Sequence, residues 1–456
     1  MQSPRRSRLG YRGRRMNPPS RWLLPCAAML VAGALVNGCS KTTSPDAGGD
    51  AGGAPSDAAL GAGDAAPAED ASDAGDAPGG EAGGALGGDA ATPTISPMPV
   101  ISRGVPAFAS SGTASLADDA DYDTMWRSSE TTSPSTPSWL AYDLSGVPPA
   151  QRQHVDVVFY AVGGDYAEYD IYAKSGAVSY NAPRDYTIEG NAAPGGGSAA
   201  PTSGWQSIVS VEGNTLISKQ HAMDLTGYSW LRLNVTAING TTQNFNTAVN
   251  LDVQNASNGI EDSWLFLGDS ITAFAMRNDG AGIGASSFAE LINASKSAFF
   301  PAAEGAGEGA WSSGTAFTIA SPDGNGTLFD FWIRNFPGRF VCLSYGTNDG
   351  ADSSNNGQTT FDDFVKMIGI VTAAGKVPCI PHVPWAEDAA HQTSAQFING
   401  RIDALYATYP AIVRGPDLYS ILEGHTEWFQ DNLHPNPQGR ETYRAAWASA
   451  VLTLYP

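Results

Sequence analysis

The chain has 456 residues, among them 52 Gly, 30 Pro and only four Cys, and its formal charge is −21. This length predicts two domains plus tails rather than one compact domain, and four Cys are too few for a disulfide scaffold. The first 38 residues carry seven Arg and no acidic residue, so the rest of the chain has a formal charge of −28. Such an acidic chain repels nucleic-acid phosphates, so we expect no nucleic-acid partner and favour neutral substrates.

The N-terminal segment has the pattern of an export signal. Residues 22–36 form an apolar run behind Arg21, which is too short to span a membrane comfortably and is typical of a signal-peptide core. The run ends in Leu-Val-Asn-Gly-Cys at residues 35–39, which resembles a bacterial lipobox. The resemblance implies a lipoprotein signal peptide over 1–38, lipidation at Cys39 and anchoring to a bacterial membrane, at the outer membrane or the cell surface. The alternative is an ordinary leader with an incidental Cys.

Residues 39–97 consist almost entirely of Ala, Gly, Asp, Pro and Ser. A segment of this composition cannot bury enough apolar surface to offset the entropy lost on ordering. We therefore predict a disordered acidic tether over 39–97, which holds the folded part away from the membrane.

The next segment, 98–256, consists of short alternating runs separated by turns. The runs lie at residues 139–144, 155–160, 186–189, 206–209 and 230–235. Period-two alternation with β-branched and aromatic residues predicts strands, and several such runs at short spacing predict an all-β sandwich.

The short motifs of this segment, in their order along the chain, resemble those of the discoidin-like, galactose-binding-like sandwich that is common beside carbohydrate enzymes. They are Asp-Thr-Met-Trp-Arg-Ser at 123–128, Ser-Trp-Leu to Asp-Leu at 138–144, Gly-Trp at 204–205 and Tyr-Ser-Trp-Leu-Arg-Leu-Asn-Val at 228–235. The resemblance leaves two roles open, sugar binding and scaffolding. Each Trp fits a core position as well as a ligand contact. A structural calcium ion in the sandwich is implied by this resemblance alone.

In the last segment, 259–456, apolar strands alternate with amphipathic helices. The predicted strands are 264–267, 340–344 and 377–380, and the predicted helices are 287–296, 361–374, 397–409 and 438–454. This alternation predicts a parallel sheet covered on both faces, with the active site in the loops after the carboxyl ends of the strands. Cys342 and Cys379 lie in two of the strands; we predict buried free thiols, with a bridge as the alternative.

Four polar clusters fall where such loops are expected, at residues 268–272, 304–309, 346–349 and 431–434. A Ser hydroxyl is a weak nucleophile until a base takes its proton. A His performs this near neutral pH, and a neighbouring acid holds the His in the required tautomer. A Gly N–H and an Asn amide supply donors for the oxyanion of a tetrahedral intermediate.

These clusters, in this order, resemble the SGNH hydrolases, also called the GDSL family, whose fold is a flavodoxin-like three-layer parallel sheet. Gly-Asp-Ser at 268–270, Gly-Thr-Asn-Asp at 346–349 and Asp-x-x-His at 431–434 match three of its blocks. In the remaining block, Glu304 stands where the family usually has Asn. That block is aligned so that Gly309 is the oxyanion glycine, with Gly307 as the alternative.

The resemblance implies a role for each residue that matches a block. Ser270 is the nucleophile, His434 the base and Asp431 the acid that orients it, while the Ser270 and Gly309 amides and the Asn348 side chain form the oxyanion hole. No cofactor is implied, and the sequence has no cluster with zinc-ligand spacing, no phosphate-binding Gly-Lys loop and no dinucleotide fingerprint.

The expected function is therefore that of a serine esterase. A sandwich ahead of an SGNH domain resembles bacterial carbohydrate esterases, so we expect an acetylesterase, acting for example on acetylated xylan, with an acetylated polysaccharide or oligosaccharide as substrate. The alternatives are a lipid-directed esterase or lysophospholipase, and a carbohydrate-binding surface lipoprotein with an inactive hydrolase domain. Deletion of 98–256 is expected to leave activity on small esters but to weaken activity on polymers.

Overall fold

The computed structural model describes residues 93–161, 179–240, 246–277, 284–349 and 357–456. The predicted signal peptide, Cys39 and the predicted tether up to residue 92 lie outside these residues. Within them, no helix is both long enough and apolar enough to cross a membrane.

The first part of the described chain is an antiparallel β-sandwich. Its strands are β1 (Ala107–Ala109), β2 (Trp126–Arg127), β3 (Ser138–Asp143), β4 (His154–Ala161), β5 (Ser179–Asn191), β6 (Gln206–Val211), β7 (Ser218–Asp224), β8 (Trp230–Gly240) and β9 (Ala248–Asn255). They form two sheets, with the orders β1-β3-β8-β5-β6 and β2-β9-β4-β7. A short helix, α1 (Pro149–Arg152), precedes β4.

Strand β4 is buried on both of its faces, because the C-terminal part of the chain covers the outer face of the sandwich there. Its inward side chains, among them Val155, Val157 and Phe159, pack in the sandwich core. Its alternate side chains Val158 and Tyr160 are also buried, in a second core that they share with the C-terminal part of the chain. Successive strand residues point to opposite faces, so this nearly continuous apolar run is buried on both sides.

The C-terminal part is a parallel sheet. Its strands are β10 (Ser263–Gly268), β11 (Ala302–Gly307), β12 (Phe340–Ser344), β13 (Val377–Ile380) and β14 (Val413–Arg414). The order is β11-β10-β12-β13-β14 with all neighbours parallel, which is the flavodoxin-like order. The predicted fold class, an all-β sandwich followed by a flavodoxin-like three-layer sheet, is confirmed.

Helices cover both faces of this sheet. They are α2 (Ser270–Thr272), which continues as a π-helical turn (Ala273–Arg277), α3 (Ala285–Ser295), α4 (Thr315–Thr318), α5 (Leu328–Asn335), α6 (Gln358–Ala373), α7 (Ala389–Thr408), α8 (Leu418–Leu422) and α9 (Pro437–Val451). Trp264 and Phe266 of β10 face α3 and α9, and the alternate residues Leu265 and Leu267 face α5, α6 and α7. The predicted helices and strands are confirmed; most ends differ by a few residues, but α7 begins at Ala389, eight residues before the predicted start.

One segment differs from its prediction. The cluster 304–309 was expected as a loop, but residues up to Gly307 belong to β11 and only Glu308 and Gly309 follow it. The sequence Ala-Ala-Glu-Gly-Ala-Gly has low strand propensity. It is a strand because β10 pairs along its whole length and because its central side chain, Glu304, is buried against β7.

The end of the predicted tether also contacts the folded part. Ile95 is 1% exposed, and its N–H donates to the Leu454 carbonyl at 3.0 Å. The Thr94 carbonyl accepts from Arg339 at 3.2 Å. An isolated Ile at the end of a polar segment is a weak sequence signal, and its burial depends on a groove made by distant residues.

Cys342 and Cys379 are both free and buried, which confirms the thiol prediction. They face each other in register on β12 and β13. Burial raises the pKa of the Cys342 thiol well above its ordinary value, so this side chain is a core residue in the protonated form.

Candidate active site

Three neighbouring strands end at the same edge of the parallel sheet. Gly268 of β10 lies in register with Gly307 of β11 and Ser344 of β12. Ser270 and Gly309 each come two residues after a strand end, and Asn348 follows β12 by four. Because the strands are parallel, all three loops leave the sheet on one side.

The helix that begins at Ser270 lies close against these strand ends. A Cβ atom on Gly268 would lie 2.3 Å from Thr272 Oγ1 and 2.6 Å from the Ser344 carbonyl oxygen. A Cβ on Gly307 would lie 2.3 Å from the Ala273 nitrogen. Both positions require glycine because the backbones approach too closely for any side chain, and this packing brings Ser270 close to the sheet.

The structure brings Ser270, His434 and Asp431 into one hydrogen-bonded chain. Ser270 Oγ lies 2.9 Å from His434 Nε2, and His434 Nδ1 lies 3.0 Å from Asp431 Oδ2. Ser270 is 3% exposed and His434 8%. This is the arrangement in which a hydroxyl transfers its proton to an imidazole that an acid orients.

Asp431 is held by its own loop. Its Oδ1 accepts hydrogen bonds from the backbone N–H groups of Leu433, at 2.8 Å, and His434, at 2.6 Å. Burial alone would raise the pKa of Asp431, but these N–H groups and the His434 ring outweigh it and leave the pKa below its ordinary value. The carboxylate is therefore ionised at neutral pH and stabilises a protonated His434.

Two side chains that the sequence analysis did not identify support the His434 ring. Phe274 meets it edge to face with 5.3 Å between ring centroids. Arg440 stacks 4.5 Å above the Phe274 ring and donates to the Pro435 carbonyl at 2.8 Å. Because Phe274 lies on the π-helical turn and Arg440 on α9, no local motif links them to His434.

Asn348 is anchored by the loop that follows β11. Its Nδ2 donates to the Trp311 carbonyl at 3.0 Å, and an amide NH2 carries a second donor. The adjacent Asp349 accepts from Ser313 Oγ at 2.6 Å and from Thr360 Oγ1 at 3.3 Å. The loops of Asn348 and Gly309 are thus tied together, and the oxyanion roles of both residues stay predictions.

Asp269 has a structural role beside the nucleophile. Its side chain caps α2 by accepting the Ile271 N–H at 3.0 Å. Burial raises its pKa to about 6. The Gly-Asp-Ser motif therefore contains one candidate catalytic residue, Ser270, between a glycine and a cap that shape the turn.

Within the residues that the structure describes, no group of three or more His, Cys, Asp or Glu side chains is placed to hold a metal ion. The chemistry that the site supports through its own side chains is acyl transfer to an activated serine.

Neither a protein-family model nor a curated protein matches the chain. Solved structures do resemble parts of it. Chitosan-binding module 1 of a chitosanase/glucanase from Paenibacillus sp. IK-5 is 17% identical, with 34% of this chain and 98% of that chain covered and a TM-score of 0.24. A lipase/acylhydrolase from Enterococcus faecalis is 18% identical, with 42% and 95% covered and a TM-score of 0.31.

A member of the lipolytic protein G-D-S-L family from Veillonella parvula is 20% identical, with 42% of this chain and 96% of that chain covered and a TM-score of 0.30. The identities and TM-scores of all these structures are low. The function proposed below therefore depends on the contacts of the site itself.

Proposed function

We propose that this chain is a serine hydrolase of carboxylic esters, with Ser270 as nucleophile, His434 as base and Asp431 as the orienting acid. The observation that carries the proposal is the Ser270–His434–Asp431 chain of hydrogen bonds, 2.9 and 3.0 Å long, at the carboxyl edge of a parallel sheet. This is the edge at which open α/β sheets bind their ligands.

In the proposed reaction, Ser270 Oγ attacks the acyl carbon while His434 Nε2 takes its proton. The Ser270 and Gly309 amides and the Asn348 side chain stabilise the oxyanion of the tetrahedral intermediate. The intermediate collapses when His434 returns the proton to the leaving alcohol, which leaves an acyl group on Ser270. Water, deprotonated by His434, then attacks this ester, and the acid departs as Ser270 regains its proton.

The preferred substrate is an O-acetyl group on a polysaccharide. Ser270 is itself only 3% exposed, which favours a small acyl group over a long chain. The acidic character of the chain disfavours an anionic polymer. The β-sandwich packs directly against the hydrolase sheet and offers a second surface for such a polymer.

Two other functions remain as outcomes of the test. A lipid-directed esterase or lysophospholipase of the same fold would need an apolar channel for a long acyl chain. A carbohydrate-binding surface protein with an inactive hydrolase domain would release no acid from any ester.

The test is acid release by the chain without residues 1–39, from acetylated xylan and from short- and long-chain aryl esters. We expect acetate from the polymer and turnover of the short ester, with kcat/KM lowered about 10⁴-fold or more by Ser270→Ala. Ser420→Ala, which removes an exposed hydroxyl on α8, serves as the matched control. A preference for long acyl chains would instead indicate a lipid-directed esterase. No turnover of any ester would refute the proposal.

We also propose that the chain is exported and anchored to a bacterial membrane through lipid on Cys39. The support is the lipobox-like sequence behind an apolar run. Radiolabelled palmitate should enter the full chain expressed in bacteria and be lost in Cys39→Ser, while Cys26→Ser, inside the leader, keeps the label. Label that persists in Cys39→Ser would contradict the anchor.

A further inference from the structure

A cleft of about 1060 Å3 lies between loops of the sandwich and the end of α3. Its lining includes Asp118 and Asp119 from the sandwich, Glu290 from α3, Phe300 from the loop after α3, and Arg103. We call it the acidic cleft. None of the predicted catalytic residues lines it.

The charges of this lining are unbalanced. Arg103 is the one cation among the described lining residues, and it is already paired with Asp252, with 3.1 Å between its guanidinium and the buried carboxylate. Asp252 is not part of the lining. The positive charge of Arg103 is thus offset by Asp252, and the three lining carboxylates leave the cleft with a net negative charge.

Asp118 is the most informative of these carboxylates. It is 5% exposed, and its Oδ2 has no hydrogen-bond partner among the described residues. Burial raises the pKa of Asp118 to about 6, against the opposing charge of Arg103. A buried carboxylate without a donor is costly, and a positive charge in the cleft would lower that cost.

Glu290 stands on the opposite wall in a related environment. Burial, followed by the charges of Asp123 and Asp121, raises its pKa. The cleft therefore has a carboxylate from each side, one on the sandwich and one on the hydrolase part. A cationic ligand that reached both would stabilise the ionised form of each carboxylate.

The size and walls of the cleft point to an organic cation rather than an ion alone. Its volume lies just above the range of about 300–1,000 Å3 that small-molecule sites span. Phe299, Phe300 and Pro97 supply apolar wall surface, and Ser115 and Ser297 supply polar groups. A lining that offers both apolar and polar groups matches sugar rings, which have an apolar face and hydroxyl edges.

We propose that the acidic cleft binds an oligosaccharide that carries protonated amines, with Asp118 and Glu290 accepting hydrogen bonds from the ammonium groups of amino sugars. Charge-assisted hydrogen bonds of this kind are stronger than neutral ones. The site is separate from Ser270, so it can be present whether or not the proposed esterase activity is.

The test is calorimetric titration of the chain without residues 1–39 at low salt. We expect a glucosamine tetramer to bind, and the N-acetylglucosamine tetramer, which lacks the positive charges, to bind at least about tenfold more weakly. Asp118→Asn and Glu290→Gln should each weaken binding of the glucosamine tetramer about tenfold. Glu130→Gln, which removes an exposed carboxylate of the sandwich outside the cleft, should leave the affinity unchanged.

Several results would overturn the proposal. They are no binding of the glucosamine tetramer, equal affinity for the N-acetylated tetramer, tetralysine binding as tightly as the amino sugar, or Ca²⁺ binding in its place. An affinity that both cleft substitutions leave unchanged, or that Glu130→Gln lowers equally, would do the same. Thermal unfolding and aryl-ester turnover check each variant; if Asp118→Asn fails to fold, Glu290→Gln on the partly exposed face of α3 carries the test.

Discussion

At the residue scale, the candidate catalytic side chains depend on neighbours that do not contact the substrate. The His434 ring rests on Phe274, which Arg440 covers in turn. The Asn348 amide is held by a backbone carbonyl at Trp311. Contacts of this kind fix the geometry before the substrate arrives, and most of the electrostatic stabilisation of a transition state comes from such preorganised groups.

If Asn348 is an oxyanion donor, Asn348→Ala should lower kcat for an aryl ester about 10²- to 10³-fold with little change in KM, because the lost hydrogen bond forms mainly in the transition state. Steady-state kinetics measure this. Asn325→Ala, at an exposed loop position, is the control. A rise in KM with kcat unchanged would instead assign Asn348 to substrate binding.

At the element scale, the edge strand β11 of the parallel sheet meets the edge strand β7 of the sandwich without forming backbone-to-backbone hydrogen bonds of a continuous sheet. Gly305 donates its N–H to Ser218 Oγ at 2.9 Å, and Glu304 Oε1 accepts the Gln220 N–H at 2.8 Å. Ser218 and Gln220 belong to β7, at the edge of the sandwich. Side chains thus satisfy backbone groups that an open edge would leave exposed to aggregation.

We expect Lys219→Met to destabilise the protein by about 2–4 kcal/mol, because it leaves the Glu304 carboxylate buried without its cation. The Lys219 Nζ to Glu304 Oε2 distance is 3.3 Å, and the two side chains are 17% and 1% exposed. Lys366→Met is the matched control, since Lys366 is 61% exposed in its pair with Asp363 and should contribute at most about 1 kcal/mol. Urea unfolding compares them, and equal effects of the two substitutions would refute the expectation.

Asp156 on β4 makes the stability depend on pH. Burial, and secondly Glu304, raises its pKa from 3.8 to about 8, and neither carboxylate oxygen has a partner among the described residues. Between these values the folded chain keeps a proton that the unfolded chain has released. The protonated Asp156 therefore contributes its full stabilisation below pH 3.8, and this contribution is lost as the pH rises toward about 8.

Asp156→Asn should consequently raise the free energy of unfolding at pH 8 by about 1–3 kcal/mol and change it little at pH 4. The melting temperature of the variant should fall less steeply between pH 5 and pH 8 than that of the wild type. Thermal scans across this range test the expectation, and parallel curves for the two proteins would contradict it.

At the scale of the whole molecule, the sandwich forms part of the wall of the core beneath the parallel sheet. Tyr122 and Val158 of the sandwich share one buried cluster with Trp264 and Phe266 of the parallel sheet. The Tyr160 hydroxyl also accepts the Ala303 N–H, at 3.3 Å. Removing the sandwich would therefore expose apolar surface and the edge of β11 together.

Deletion of residues 98–256 should yield an aggregating or loosely packed product without turnover of small esters, whereas the sequence alone predicts that this activity remains. The physical reason is the loss of burial for one side of the core at roughly 25 cal/mol per Å2. Size-exclusion chromatography, near-ultraviolet circular dichroism and an aryl-ester assay test it. A folded monomer with wild-type turnover would show that the sandwich is an independent module.

Local sequence patterns were sufficient to predict much of the fold and of the candidate site. Apolar runs and helical spacing predicted the strands around Trp264 and Phe340, the α/β class and the buried thiols, because these features follow from periodicity within a few residues. Motif order also placed Ser270, Asp431 and His434 in one predicted site, and the structure brings these three together.

Other features of the fold and of the site depend on tertiary contacts alone. The strand state of β11 depends on Glu304 meeting Gln220, 84 residues earlier in the chain, and the support of His434 depends on Phe274 and Arg440 meeting from different helices. The burial of Tyr160 on the outer face of the sandwich depends on the other sheet. Contacts between such distant segments leave no local period in the sequence, so only the folded chain reveals them.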